Sequence, residues 1–262
     1  MTRRYRKSEE LEISLLIKDE KFIRPPQDSQ RNALINKALN EFIENLKALD
    51  FQSQYFVSEN VFKADRNYHL QSLSGEELME DWQIPLMHKM VEQISGGHGD
   101  ILEIGFGRGI ASEMIQNQKV KSHTIIECND TVVDHFHKWR ATHSDQDIRL
   151  VHGLWQDTID GLDLFDGIFF HTYPLNLKEY IEYVDKSATF AEHFFSYAAA
   201  HLKKNGVFTY LSNEIDSLSR AHQRSIFKYF SSFSAQVVNL DMPARVTDMW
   251  WAKSMVVIKV IK

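Results

Sequence analysis

Residues 101–115 read ILEIGFGRGIASEMI. An apolar run carrying one acid, Glu103, enters a turn made of Gly105, Gly107 and Gly109, and a helical pattern follows at once. Glycine reaches backbone conformations closed to other residues. The chain can therefore turn sharply from strand to helix, bringing backbone N–H groups and the positive helix end up to a ligand. Strand, glycine turn and helix together form the opening unit of an open α/β sheet, which binds ligands at the carboxyl ends of its strands.

The rest of the chain agrees with that start. Downstream, DILEI leads to a helix from Arg108, SHTIIE to a helix from Asp130, and DIRLVHG to a loop. LFDGIFFH then leads to a long helix and GVFTYLS to another, and AQVVNL and SMVVIKVIK close the chain. This alternation predicts an α/β fold with a mostly parallel sheet. The last two strands have no helix between them, so one should run antiparallel at or near the sheet edge. Upstream, DSQRNALINKALNEFIENLKALD (28–50) has helical periodicity, and a second helical pattern opens at Ser74 and is interrupted by Pro85. Residues 1–78 are expected to form a helical N-terminal extension and 79–262 the sheet domain.

Bulk properties narrow the class. The chain has 262 residues, 43% hydrophobic and 25% charged, an ordinary globular balance. A net charge of −6 argues against nucleic acid as a partner. The lone Cys128 fits a reducing compartment and excludes a multi-cysteine zinc site. No apolar run approaches the roughly 18–20 residues of a membrane span, and the N-terminus lacks a signal-peptide core. We therefore expect a cytoplasmic protein with a small-molecule substrate, without membrane or metal; a homodimer is compatible with the sequence.

The glycine spacing points to a ligand class. Dinucleotide sites space their glycines GxGxxG, whereas this turn is GxGxG with Glu103 two residues ahead, a variant typical of sites for S-adenosylmethionine. Glu127 ends the second strand, eighteen residues past Gly109, where its two oxygens can accept both ribose hydroxyls. In GLWQD (153–157), Trp155 can stack near an adenine and Asp157 accept from its amino group; a core tryptophan beside a surface aspartate is an equal reading. HTYPL (171–175) ends the fourth strand at the same crevice. A histidine there, with an ordinary pKa of about 6.5, can take a proton at neutral pH, so His171 is the candidate base, with Tyr173 and Gln83 as partners.

MEDWQIPLMH (79–88), ILEIGFGRGIA, IIECND (125–130), GLWQD, DGIFFHTYPL and LKKNGVFTY (202–210), in this order, resemble the guanidinoacetate methyltransferase family of class I S-adenosylmethionine-dependent methyltransferases. The resemblance runs from about Met79 to the C-terminus. It implies a Rossmann-like class I sheet with an antiparallel edge strand, under a helical N-terminal lid. The implied cofactor contacts are Met79, Met87, the turn Phe106, Gly107, Arg108, Gly109, Ile110 and Ala111, then Glu127, Leu154 and Trp155. Glu103, Gly105, Asn129, Asp157 and His171 are expected to complete that site. The residue ending the fourth strand is implied to sit between cofactor and substrate.

The departures concern the substrate. Family members carry a glutamate where this chain has Gln83 and an aspartate where it has His171, and these acids hold the substrate guanidinium. Their Thr-Ser pair for the substrate carboxylate falls on Glu214 and Ile215. A guanidinium would lose two charge-assisted pairs here, and a carboxylate would meet Glu214. The resemblance thus implies a small-molecule methyltransferase, acting on nitrogen, with a substrate other than guanidinoacetate and a place in specialised metabolism. Substrate contacts are expected from Gln83, Thr172, Tyr173, Glu214 and Ile215, with Glu214 suited to an ammonium. Two alternatives stay open: use of the cofactor's aminocarboxypropyl arm with release of methylthioadenosine, and a non-catalytic partner subunit.

Overall fold

The computed structural model describes residues 37, 79–96, 98–175, 179–242, 250 and 252–262. A short 3-10 turn, Asp81–Gln83, leads into α1 (Ile84–Ser95). Strand β1 (Asp100–Ile104), helix α2 (Ile110–Asn117), strand β2 (Ser122–Glu127) and helix α3 (Asp130–Ala141) follow. Next come β3 (Ile148–His152), α4 (Trp155–Thr158) and β4 (Phe165–Phe170). Helix α5 (Phe195–His201) precedes β5 (Leu202–Leu211), and α6 (Arg220–Ile226) precedes β6 (Ser232–Asn239) and β7 (Ser254–Ile261).

Among the described residues the strands form one seven-stranded sheet in the order β3-β2-β1-β4-β5-β7-β6. The pairs from β3 to β5 are parallel; β7 runs antiparallel to both β5 and β6, one place in from the edge. The strand order reverses between β1 and β4, whose carboxyl ends flank a crevice.

Alternate residues of each strand feed opposite faces. On one face Ile101 of β1 and Phe169 of β4 pack against Leu86, Met90, Val91 and Ile94 of α1, with Ile115 of α2 in the same layer. On the other, Leu102, Ile104, Ile168 and Phe170 meet an aromatic block of Phe194, Phe195, Phe208 and Tyr210. Phe170 stacks on Phe194 with ring centroids 4.6 Å apart. Each such side chain taken out of water contributes roughly 1.5–3 kcal/mol, so the two layers hold the strand tips rigidly.

Three local expectations change. Pro85 does not interrupt a helix but sits in the first turn of α1, where no backbone N–H is needed, so the helix starts there. The segment after β3 is not a loop; it forms α4 and a further 3-10 turn, Ile159–Gly161. The long helix after β4 is broken into a π-helical piece, Tyr180–Asp185, a 3-10 turn, Phe190–Phe194, and α5, with the Thr189 side chain capping the second piece. The expected helix over 28–50 and the N-terminal extension 1–78 lie outside the described residues, apart from helical Lys37.

Candidate active site

The glycine turn is held to both neighbouring strands. Gly105 N–H donates to the Ile126 carbonyl of β2 at 2.9 Å, and His171 N–H at the tip of β4 donates to the Ile104 carbonyl at 3.2 Å. Gly105 has φ +90°, and a Cβ there would lie 2.5 Å from the His171 carbonyl oxygen, so only glycine fits. Gly107 also has a positive φ, +54°, but a Cβ there would meet nothing within 4 Å. One glycine is thus required by the protein's own packing. The other leaves open space at the crevice.

Glu127 is almost wholly buried at the end of β2. Its Oε2 accepts from Phe106 N–H at 2.9 Å and Gly107 N–H at 3.4 Å, and its Oε1 from Cys128 and Asn129 N–H, each at 2.8 Å. Burial pushes this carboxyl above the ordinary carboxylate value, while those backbone donors pull the other way. One acid therefore fixes the turn relative to β2 and stands at the crevice wall.

The wall brings together many of the expected residues. Met79, Met87, Glu103, Gly105, Phe106, Gly107, Arg108, Ile110, Ala111, Glu127, Leu154, Trp155, His171, Thr172 and Tyr173 all line it. Arg108 Nη1 donates to the Met79 carbonyl at 3.2 Å and to Asp81 Oδ1 at 2.6 Å, tying the approach to α1 onto the glycine turn. Gly109 and Asn129 stand behind the wall: Gly109 is the N-cap of α2, and the Asn129 side chain accepts from Val132 N–H as the cap of α3.

His171 is partly buried, with Nε2 3.1 Å from Gln83 Oε1. An amide oxygen only accepts, so Nε2 carries the ring proton and Nδ1 keeps the lone pair. Desolvation lowers the His171 pKa from 6.5 to about 4. The ring is therefore neutral at pH 7 and a weaker base than the ordinary histidine expected from the sequence.

Several assignments are corrected. Glu214, expected to meet substrate, is 2% exposed and turned into the protein. Its Oε2 lies 3.3 Å from His222 Nδ1 and accepts from Ser219 N–H at 2.9 Å, and His222 Nε2 lies 2.8 Å from the Tyr210 hydroxyl. This carboxylate organises the loop after β5. Ile215 packs into the apolar layer beside α1. Neither is among the residues lining the crevice. Trp155 is core as well as wall, edge-on to Phe194 and Tyr197. Asp157 is exposed and lies off the crevice; Gln156 lines it instead, its Oε1 buried with no hydrogen-bond partner among the described residues. The helical turn of α4 is the cause: successive side chains on a helix diverge by about 100°. Cys128, Leu175 and Glu179 also join the wall, where Leu175 packs with Cys128, Leu154 and Tyr173. No periodicity in the sequence marked them.

The sequence profile for guanidinoacetate N-methyltransferase matches residues 50–243, well over half of the chain. The chain belongs to the guanidinoacetate N-methyltransferase family. It is also similar to protein arginine N-methyltransferase 2 of Yarrowia lipolytica, 26% identical over 169 residues that cover 60% of this chain and 33% of that one. The Saccharomyces cerevisiae protein of the same name is 27% identical over 144 residues, 51% and 34% of the two chains. The chain spans about a third of the length of these curated relatives. In fold it resembles precorrin-6y C5,15-methyltransferase from Geobacter metallireducens GS-15, with a TM-score of 0.50 at 14% identity over 77% of this chain and 98% of that one. SMU.776, assigned as a methyltransferase and complexed with SAH, gives a TM-score of 0.50 at 12% identity over 71% and 50% of the two chains.

Membership of this methyltransferase family makes S-adenosylmethionine the cofactor, and the crevice residues fit it. The open space at Gly107 admits a ligand against the turn, and Gln156 Oε1, without a hydrogen-bond partner among the described residues, offers an acceptor for an amino group. The Glu127 oxygens already accept from four backbone N–H groups, so ribose hydroxyls would have to share them.

Proposed function

We propose that this protein methylates a nitrogen of a small molecule that reaches the crevice uncharged, and that guanidinoacetate is not that molecule. The observation that carries the proposal is the His171–Gln83 pair, a neutral donor–acceptor couple at the tip of β4. A guanidinium placed against it would receive no counter-charge from either residue, and so would lose two charge-assisted pairs. The same argument disfavours a protein arginine side chain as the acceptor, although the curated relatives carry that name. Glu214, withdrawn into its pair with His222, offers no compensating charge.

Bound S-adenosylmethionine supplies a methyl group on a positively charged sulfur, open to in-line displacement. The protein's part is to hold the acceptor close to that methyl group and exclude water. His171 presents its Nδ1 lone pair to a hydrogen on the attacking nitrogen. That hydrogen becomes more acidic as the nitrogen gains positive charge, so even a weakened imidazole can accept it, and the ring's main contribution is orientation. Gln83 keeps the ring in one tautomer. Tyr173 and Thr172 provide further polar groups on the same wall.

The test is incubation with S-adenosylmethionine and a library of neutral amines and heteroaromatics, read by mass spectrometry. S-adenosylhomocysteine together with a product one methyl group heavier supports methyl transfer. Methylthioadenosine instead would assign the aminocarboxypropyl arm, and nucleoside binding without any product would assign a non-catalytic subunit; either result defeats the proposal.

A further inference from the structure

Beneath the glycine turn a row of polar side chains runs through the otherwise apolar layer between the sheet and α2. Glu103, Ser112 and His123 are wholly buried and Gln116 is 6% exposed. Glu103 Oε2 accepts from the Ser112 hydroxyl at 2.6 Å and lies 2.9 Å from His123 Nε2. On the far side of the ring, His123 Nδ1 lies 2.8 Å from Gln116 Nε2. An amide nitrogen only donates, so Nδ1 is the acceptor and the ring proton sits on Nε2, on the Glu103 side. The Nε2–H is not aligned as a regular hydrogen bond, so its hold on the carboxylate is that of a close dipole on a charge.

The row ends unfinished at the crevice. Glu103 Oε1 is buried, has no hydrogen-bond partner among the described residues, and belongs to a residue of the crevice wall. A buried carboxylate oxygen with nothing to accept from is unfavourable, and a cationic donor is what would satisfy it best. S-adenosylmethionine carries one, the α-ammonium of its amino-acid end. Ser112 and His123 both sit at Oε2, so the carboxylate is held through that oxygen and Oε1 is left without a partner among the described residues.

We propose that His123 and Gln116 are positioning residues: they hold the Glu103 carboxylate in the one orientation that presents Oε1 to the α-ammonium of the cofactor. The inference rests on S-adenosylmethionine as the cofactor and extends it to residues that do not line the crevice.

Calorimetry on the full chain tests it with two nucleosides: S-adenosylhomocysteine, which keeps the ammonium, and methylthioadenosine, which lacks the whole amino-acid arm. His123→Leu should weaken S-adenosylhomocysteine by about tenfold or more, because the dipole held against the buried Glu103 carboxylate is lost, and leave methylthioadenosine within about twofold. His123→Gln, which returns an N–H donor on the Glu103 side, should recover most of that loss. Gln116→Leu should act in the same direction as His123→Leu and decides the matter if the latter does not fold. Equal weakening of both nucleosides, or no recovery with glutamine, would overturn the relay while leaving the cofactor assignment intact. A wild-type protein that binds neither nucleoside would overturn both.

Discussion

His171 Nε2 and Gln83 Oε1 lie 3.1 Å apart and join the tip of β4 to the turn ahead of α1. The two residues are 88 positions apart in the chain, and the pair fixes the tautomer of the ring at the crevice wall. His171→Ala should leave cofactor affinity within about tenfold and cut turnover by about 10² or more. Turnover equal to wild type would remove His171 from the reaction.

Replacing Gln83 by glutamate places a negative charge beside the ring. An opposite charge at this distance favours the protonated imidazole, so the His171 pKa should rise from about 4 toward the ordinary range. The acid limb of the kcat/KM profile should then move to higher pH by about one unit. An unmoved profile would mean that the ring's protonation does not govern the rate.

The pH dependence of folding follows from two histidines. Desolvation lowers the pKa of both His171 and His193 from 6.5 to about 4, and the His193 ring is stacked on Tyr183 with centroids 4.3 Å apart. Both rings stay neutral in the folded protein, whereas the unfolded chain takes up protons below about 6.5. Their contribution to stability is therefore fully present above that pH and is lost as pH falls toward 4. Asp100 acts in a lower window: hydrogen bonding from Lys203 brings it from 3.8 to about 2, and its contribution is lost only as pH falls through that range. Thermal unfolding should show a lower Tm at about pH 5 than at about pH 7.5, and a smaller difference in His193→Phe. A Tm unchanged between the two conditions would contradict the desolvated, neutral state of the rings.

Glu214 gives a prediction about stability rather than activity. Glu214→Gln replaces a buried carboxylate that accepts from Ser219 N–H and faces His222, which should destabilise the fold by about 1.5 kcal/mol, the scale of one hydrogen bond to a charged group. Cofactor affinity, measured by calorimetry below the unfolding transition, should stay within about twofold because the side chain lies off the crevice wall. A loss of affinity without a loss of stability would return Glu214 to the site.

The two glycines of the turn should respond differently to alanine. At Gly107 the added methyl meets no protein atom, so Gly107→Ala should cost the fold only about 1–2 kcal/mol for its positive φ while weakening the cofactor by about tenfold or more. At Gly105 the methyl would lie 2.5 Å from the His171 carbonyl oxygen, so Gly105→Ala should damage the fold itself. Chemical denaturation and calorimetry on both variants separate these effects, and equal stability losses would defeat the distinction.

Local pattern was enough for the architecture. The strand at Asp100–Ile104, the glycine turn, Glu127 as the last residue of β2 and Asp130 as the first of α3 were all legible in the chain. Apolar periodicity, positive-φ glycines and helix caps act within a few residues of one another, so a linear reading captures them. Which polar groups face the crevice was settled by packing in three dimensions. A helical turn after β3 took Asp157 outward and Gln156 inward, and His222 drew Glu214 away from the crevice. Burial against distant chain segments lowered the His171 pKa, and the turn ahead of α1 brought Gln83 to its ring. Desolvation and pairing depend on neighbours that are remote along the chain, and no local pattern records them.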